Sequence, residues 1–166
     1  MVTEENLQNN QHGISTNAVE MSDTVLGLLI GETRYLVYMK EVSEVIQQPE
    51  FVPVPFTHAW FMGMINVHGN LYGVTDLGMY LSGESESFGF KSRILLVASN
   101  SKMHCGFIVP NLLGVRNLNE FEQDHAISEA LRNGVTQVYR DREGMPWYAL
   151  GLHMLTQEKK FLQIGN

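Results

Sequence analysis

From Thr24 onward the chain is written in short β-branched and aromatic runs broken by glycine, proline and polar turns. This texture constrains the fold most: runs of five to eight residues, punctuated this often, suit strands rather than long helices. Val25 to Ile30 and Thr33 to Met39, separated by Gly31-Glu32, form an opening hairpin. Lys40 to Ser43 reads as one helical turn and Glu44 to Gln47 as a short strand. Pro49, Pro53 and Pro55 then mark an extended loop that is neither helical nor central in a sheet.

The stretch Pro53 to Gly83 is the most informative. It contains a loop closing on Trp60, a strand from Phe61 to Val67, a reversal at His68-Gly69, a strand from Asn70 to Thr75 and a short helix. Gly69 supplies the positive φ that a two-residue hairpin turn needs. Asp76 stands where its carboxylate caps the helix, and Gly83 stops it.

Beyond it, Glu84 to Gly89 is a polar connection, read as the crossing between two strand-rich halves. Arg93 to Ser99, Met103 to Val109 and Leu112 to Leu118 form a meander, with a turn at Asn100 to Lys102 and a break at Pro110-Asn111. Glu120 to Asn133 is an acidic loop or loose helix. Val135 to Arg140 and Met145 to Leu150 make a last hairpin, and Leu152 to Lys160 a closing helix. The total is nine or ten short strands, the pattern of small barrels or sandwiches. Met1 to Asp23 is polar, lacks Lys and Arg, and reads as a disordered tail, residues 1–23.

Composition removes several function classes. Residues 1–90 carry eleven acidic side chains against Arg34 and Lys40, a balance of −9, and residues 91–166 carry nine basic against seven acidic, a balance of +2. No basic stripe is interleaved with aromatics, so nucleic acid is not an expected partner. No apolar run reaches the ~18 residues of a membrane span, and the first residues lack the basic and apolar regions of a secretory signal. The expectation is a cytoplasmic protein with no direct membrane insertion.

No catalytic constellation emerges. His12, His58, His68, His104, His125 and His153 show no i, i+4 pair and no HExxH context, so no metal is expected. Gly69, Gly73 and Gly78 follow neither GxGxxG nor a Walker pattern, so no nucleotide cofactor is expected either. Cys105 follows His104, but strand neighbours point to opposite faces, which makes the thiol a small buried hydrophobe rather than an activated nucleophile. Phe56, Trp60, Phe61, Met62 and Met64 concentrate apolar surface, part of it core and part available to grip a partner.

Three segments together carry a family resemblance: EVSEVIQQPEFVPVP, WFMGMINVHGNLYGVTDL and SRILLVASNSKMHCGFIVPNLLGVRNL. With the ending KFLQIG, they make residues 24–165 similar to the CheW-like domain of bacterial chemotaxis-type signalling, and within it to the PilI group of type IV pilus and twitching-motility systems. The resemblance implies a mainly β fold of two SH3-like five-stranded β-barrel subdomains with short helices. The corresponding domain is residues 24–160, with 161–166 a C-terminal end. It further implies a non-enzymatic adaptor without cofactors, whose partners are the regulatory domain of a CheA-type histidine kinase and the cytoplasmic tip of a methyl-accepting chemoreceptor.

The family's VxEI segment falls on Val42 and Glu44, and its GxxNxRG segment on Gly63, Asn66, His68 and Gly69. With Met62 from the apolar concentration, the expected partner-binding residues are Val42, Glu44, Met62, Gly63, Asn66 and His68. Many members have Arg at the position of His68, a longer and permanently charged group. A CheW adaptor of a flagellar pathway and a small-molecule-binding β-barrel are the competing readings. The barrel reading requires a cavity of convergent polar groups.

Overall fold

The computed structural model describes residues 23–98, 103–125 and 134–165. Residues 1–22 of the tail, the turn at Asn100 to Lys102 and residues 126–133 of the acidic stretch lie outside the described residues.

Among the described residues, eleven strands form two sheets. The first contains β1 (Thr24–Ile30), β2 (Thr33–Tyr38), β8 (Asn111–Asn117), β9 (Glu122–Gln123), β10 (Val135–Arg140) and β11 (Pro146–Leu150), in the order β8-β1-β2-β11-β10-β9. The second contains β3 (Val42–Gln47), β4 (Phe61–Val67), β5 (Asn70–Asp76), β6 (Arg93–Val97) and β7 (Cys105–Val109), in the order β3-β6-β7-β5-β4. Short helices α1 (Leu77–Ser82), α2 (Leu152–Gln157) and α3 (Lys159–Leu162) complete it. The mainly β, two-lobed expectation holds, with the two-residue β9 as an extra strand in one sheet.

The two lobes are not the two halves of the chain, which corrects the expected crossing near residue 84. The chain leaves the first sheet through a 3₁₀ turn at Met39–Glu41, builds the whole second sheet, and returns past Pro110. The physical reason is a pair of parallel pairings, β2 with β11 and β5 with β7, which join segments far apart in sequence. Glu84 to Gly89 stays inside the second lobe, leading from α1 to β6.

Side-chain alternation explains why several strands are apolar on both faces. In β6, Ile94 and Leu96 fill the interior of the second sheet, while Leu95 and Val97 face a core shared by both lobes. In β7, Ile108 points one way and Phe107 and Val109 the other. The first sheet repeats this, with Val25 and Leu36 in its own small core beside Trp147, and Leu26 and Val37 in the shared one.

The expected closing helix is broken. Glu158 adopts φ −64 and ψ 139, ending α2 and starting α3. The break turns Phe161 into the shared core, against Trp60, Tyr80 and Phe107. Glu158 itself accepts from the Tyr80 hydroxyl at 3.3 Å, and burial, followed by that carboxylate's charge, pushes the phenol above its usual range. Beyond α3, the His58 amide donates to the Ile164 carbonyl at 2.9 Å and Thr57 bridges Gly165. No helix among the described residues is long and apolar enough to cross a membrane.

Candidate functional site

The site begins with the β4–β5 hairpin. His68 and Gly69 have φ of 52 and 83, the double positive φ of a type I′ turn, whose twist matches that of the flanking strands. The Asn66 side-chain oxygen accepts from the Gly69 amide at 3.1 Å, which fixes the turn. His68 is thereby held out into solvent at the end of the second lobe.

Glu44 arrives from the opposite end of the sheet order. A register shift between Val42 and Glu44 leaves Ser43 as a bulge, its hydroxyl donating to the Leu96 carbonyl at 3.2 Å. Without the bulge, Val42 and Glu44 would share a face. With it, Val42 packs on the shared core and Glu44 is exposed.

The sheet also curls back on itself. Val52, just beyond β3, exchanges backbone hydrogen bonds of 2.8 and 2.9 Å with Met64 of β4. This closure brings Glu44 and His68 together, with His68 Nε2 at 3.2 Å from each Glu44 carboxylate oxygen. Both side chains are solvent-accessible, so the pair contributes about 0–1 kcal/mol to stability and is free to exchange for an external partner.

The six expected site residues therefore divide. Glu44, Asn66 and His68 share one surface. Met62 is half-buried against the second lobe's core, and Val42 against the shared one. Gly63 is buried where a Cβ would lie 2.5 Å from the Val52 carbonyl oxygen, so it serves the closure.

The apolar concentration in the sequence included Phe56, but not the other apolar neighbours of this surface. Leu71, paired with Asn66 across the hairpin, is 58% exposed, and Val45 on β3 and Val52 and Val54 in the proline loop are also exposed. Phe56 is 86% exposed on a left-handed backbone with φ 58, an unfavourable conformation for an aromatic residue. The available signal was the alternation VPVPF, which places three apolar side chains in a loop whose prolines keep it out of a sheet. Of the apolar concentration considered earlier, Trp60 is buried and Phe61 and Met64 are half-buried.

Among the described residues, no three His, Cys, Asp or Glu side chains form a metal-ligating group. Cys105 is buried, and loss of solvation pushes its thiol up to about 11, the opposite of an activated thiolate. His104 stacks on Tyr72 at 4.9 Å instead.

Comparison with known proteins places the chain among relatives. The model of the CheW-like domain family matches residues 24–160. Protein PilI of Pseudomonas aeruginosa is 28% identical over 143 residues, covering 84% of this chain and 79% of PilI. The chemotaxis protein CheW of Thermotoga maritima is 28% identical over 100 residues, covering 60% of this chain and 65% of that protein. The crystal structure of the scaffolding protein TtCheW from Thermoanaerobacter tengcongensis superposes with a TM-score of 0.71 at 20% identity, over 87% of this chain and 99% of the other.

Proposed function

The chain belongs to the CheW-like domain family, and from that premise we propose that it is a non-enzymatic adaptor coupling the cytoplasmic tip of a methyl-accepting chemoreceptor to the regulatory domain of a CheA-type histidine kinase. The kinase moves phosphate and the adaptor sets geometry. A type IV pilus system is its setting in this reading, because the similarity to PilI extends over 84% of the chain, against 60% for the chemotaxis protein CheW. The cytoplasm is the matching compartment.

The observation that carries the reading is the surface around Glu44 and His68. Two oppositely polar side chains satisfy each other at 3.2 Å while exposed, beside Leu71 and Val45. Among the described residues, the outer edge of β3 has no strand beyond it in the sheet order. A partner can replace the intramolecular pair with its own charge and cover the apolar rim at small cost. His68 stands where many relatives have Arg, and its shorter ring reaches Glu44 at 3.2 Å.

The test is a titration of the purified protein against the regulatory domain of a CheA-type kinase from its own organism, with and without the receptor tip. Saturable binding near micromolar, on the order of −8 kcal/mol, and a ternary complex are expected. His68→Glu, which sets two carboxylates against each other, should weaken coupling roughly tenfold while the domain stays folded. Unchanged binding by this variant would remove His68 from the contact, and no binding to any such kinase would sink the adaptor reading.

A further inference from the structure

Two side chains beside the Glu44–His68 pair hold it in place without belonging to it. The first is Asn66. The turn it serves lies beyond the ladder, whose last pair is Val67 with Asn70. A Cβ added at Gly69 would meet no atom within 4 Å, so no neighbour braces the turn there. His-Gly is a weaker turn sequence than Asn-Gly, and His68 must hold a φ of 52 that most side chains avoid. The bond from the Gly69 amide to the Asn66 side-chain oxygen, at 3.1 Å, biases this unbraced tip towards one conformation.

The second is Ser43. As the bulged residue of β3 it stands between the pairs Val42 with Val97 and Glu44 with Leu96. Its hydroxyl donates to the Leu96 carbonyl at 3.2 Å, tying the extra residue to the strand that Glu44 faces. A slip of one residue in this register would turn Glu44 to the opposite face. The two bonds therefore act on the two members of the pair separately: Asn66 sets the direction of His68, and Ser43 sets the face of Glu44. Neither bond uses the Glu44 carboxylate or the His68 ring.

We propose that Asn66 and Ser43 are positioning residues for partner recognition: they raise affinity by holding Glu44 and His68 in the arrangement a partner meets, and neither touches the partner itself. The proposal rests on the adaptor reading for the identity of that partner. It moves Asn66 out of the expected contact residues, because its side-chain oxygen is spent within the chain, and it adds Ser43, which no motif had singled out. The energetic route is preorganisation. A loose turn or a shifting bulge would spread the pair over several arrangements, and binding would have to select one of them at a cost in affinity.

The experiment combines NMR of the free full chain with titrations against the regulatory domain of a CheA-type kinase. In the parent, a nuclear Overhauser contact between the His68 ring and the Glu44 side chain is expected. Asn66→Ala and Ser43→Ala should each weaken it while the amide spectrum stays that of the folded protein. Each variant should also lose about fivefold in kinase affinity. In a His68→Asn background, which keeps the turn and removes the ring, Asn66→Ala should cost nothing further, and Ser43→Ala should cost nothing further in a Glu44→Ala background. A loss that persists in those backgrounds would make the residue a contact in its own right and overturn the proposal. An Overhauser contact unchanged in both variants would overturn it as well. The two failures are distinguishable: a parent that binds no kinase sinks the adaptor reading and this proposal together, whereas a parent matched in affinity by both variants sinks the positioning role alone.

Discussion

At Gly63 a methyl group would press on the Val52 carbonyl oxygen, on a backbone whose φ of +126 L-residues rarely adopt. Gly63→Ala should therefore destabilise the fold by about 2 kcal/mol or more, read from the urea midpoint, while kinase affinity corrected for folded fraction stays unchanged. A loss of affinity without loss of stability would return Gly63 to the interface. Cys105 offers a pH test. Burial raises its thiol from 9.0 to about 11, so the folded state holds the proton that the unfolded state releases. Its stabilising contribution is complete below pH 9 and is lost as pH rises towards 11, by about 2–3 kcal/mol. Cys105→Ala should flatten that decline relative to the parent, as measured by urea unfolding at pH 8 and pH 10.5. Equal declines would place the alkaline sensitivity elsewhere. The burial of Cys105 was legible in strand alternation, whereas the duty of Gly63 depends on Val52, eleven residues away.

Among the elements, the central hairpin and α1 were readable because their determinants are local. Asp76 accepts from the Met79 amide at 3.1 Å, as its position before an apolar run implied. Less visible was its second oxygen, which accepts from the Ser85 hydroxyl at 2.6 Å and ties the following connection to the helix start. Asp76 is 2% exposed, so Asp76→Ala should cost about 2 kcal/mol, above the usual value for a cap. Ser85→Ala should cost clearly less, because the cap itself survives, and thermal melts of the two variants compare them directly. What local reading could not supply was strand order. A bulge at Ser43 decides that Val42 packs inward and Glu44 outward, and nothing in the string VSEV announces it. Likewise, the Glu44–His68 contact exists only because Val52 closes the sheet, and Arg34 stands 5.6 Å from the Trp147 ring only because β11 pairs with β2.

At the scale of the whole molecule, the shared core determines whether two lobes behave as one. It takes Leu26, Leu28 and Val37 from the first sheet, Leu95, Phe107 and Val109 from the second, and Leu152, Leu155 and Phe161 from the closing helices. Glu41, buried where the chain passes between sheets, reinforces it by accepting from the Leu152 amide at 3.0 Å while its backbone carbonyl accepts from Ala98. Neither lobe can separate without exposing this surface, so unfolding should be a single transition. The two tryptophans report on it from different places, Trp60 in the shared core and Trp147 in the first lobe's own. Phe161 stacks on Trp60 and touches Tyr80 and Phe107 with 6% exposure, so Phe161→Ala should lose about 3–5 kcal/mol. If the lobes are one cooperative unit, that loss lowers the midpoint seen by both tryptophans equally, although Trp147 has no part in the cluster. A variant in which Trp60 reports unfolding well before Trp147 would mean that the lobes unfold separately. Lobes that unfold separately could change their relative angle in the folded protein, whereas a single unit moves as a rigid body.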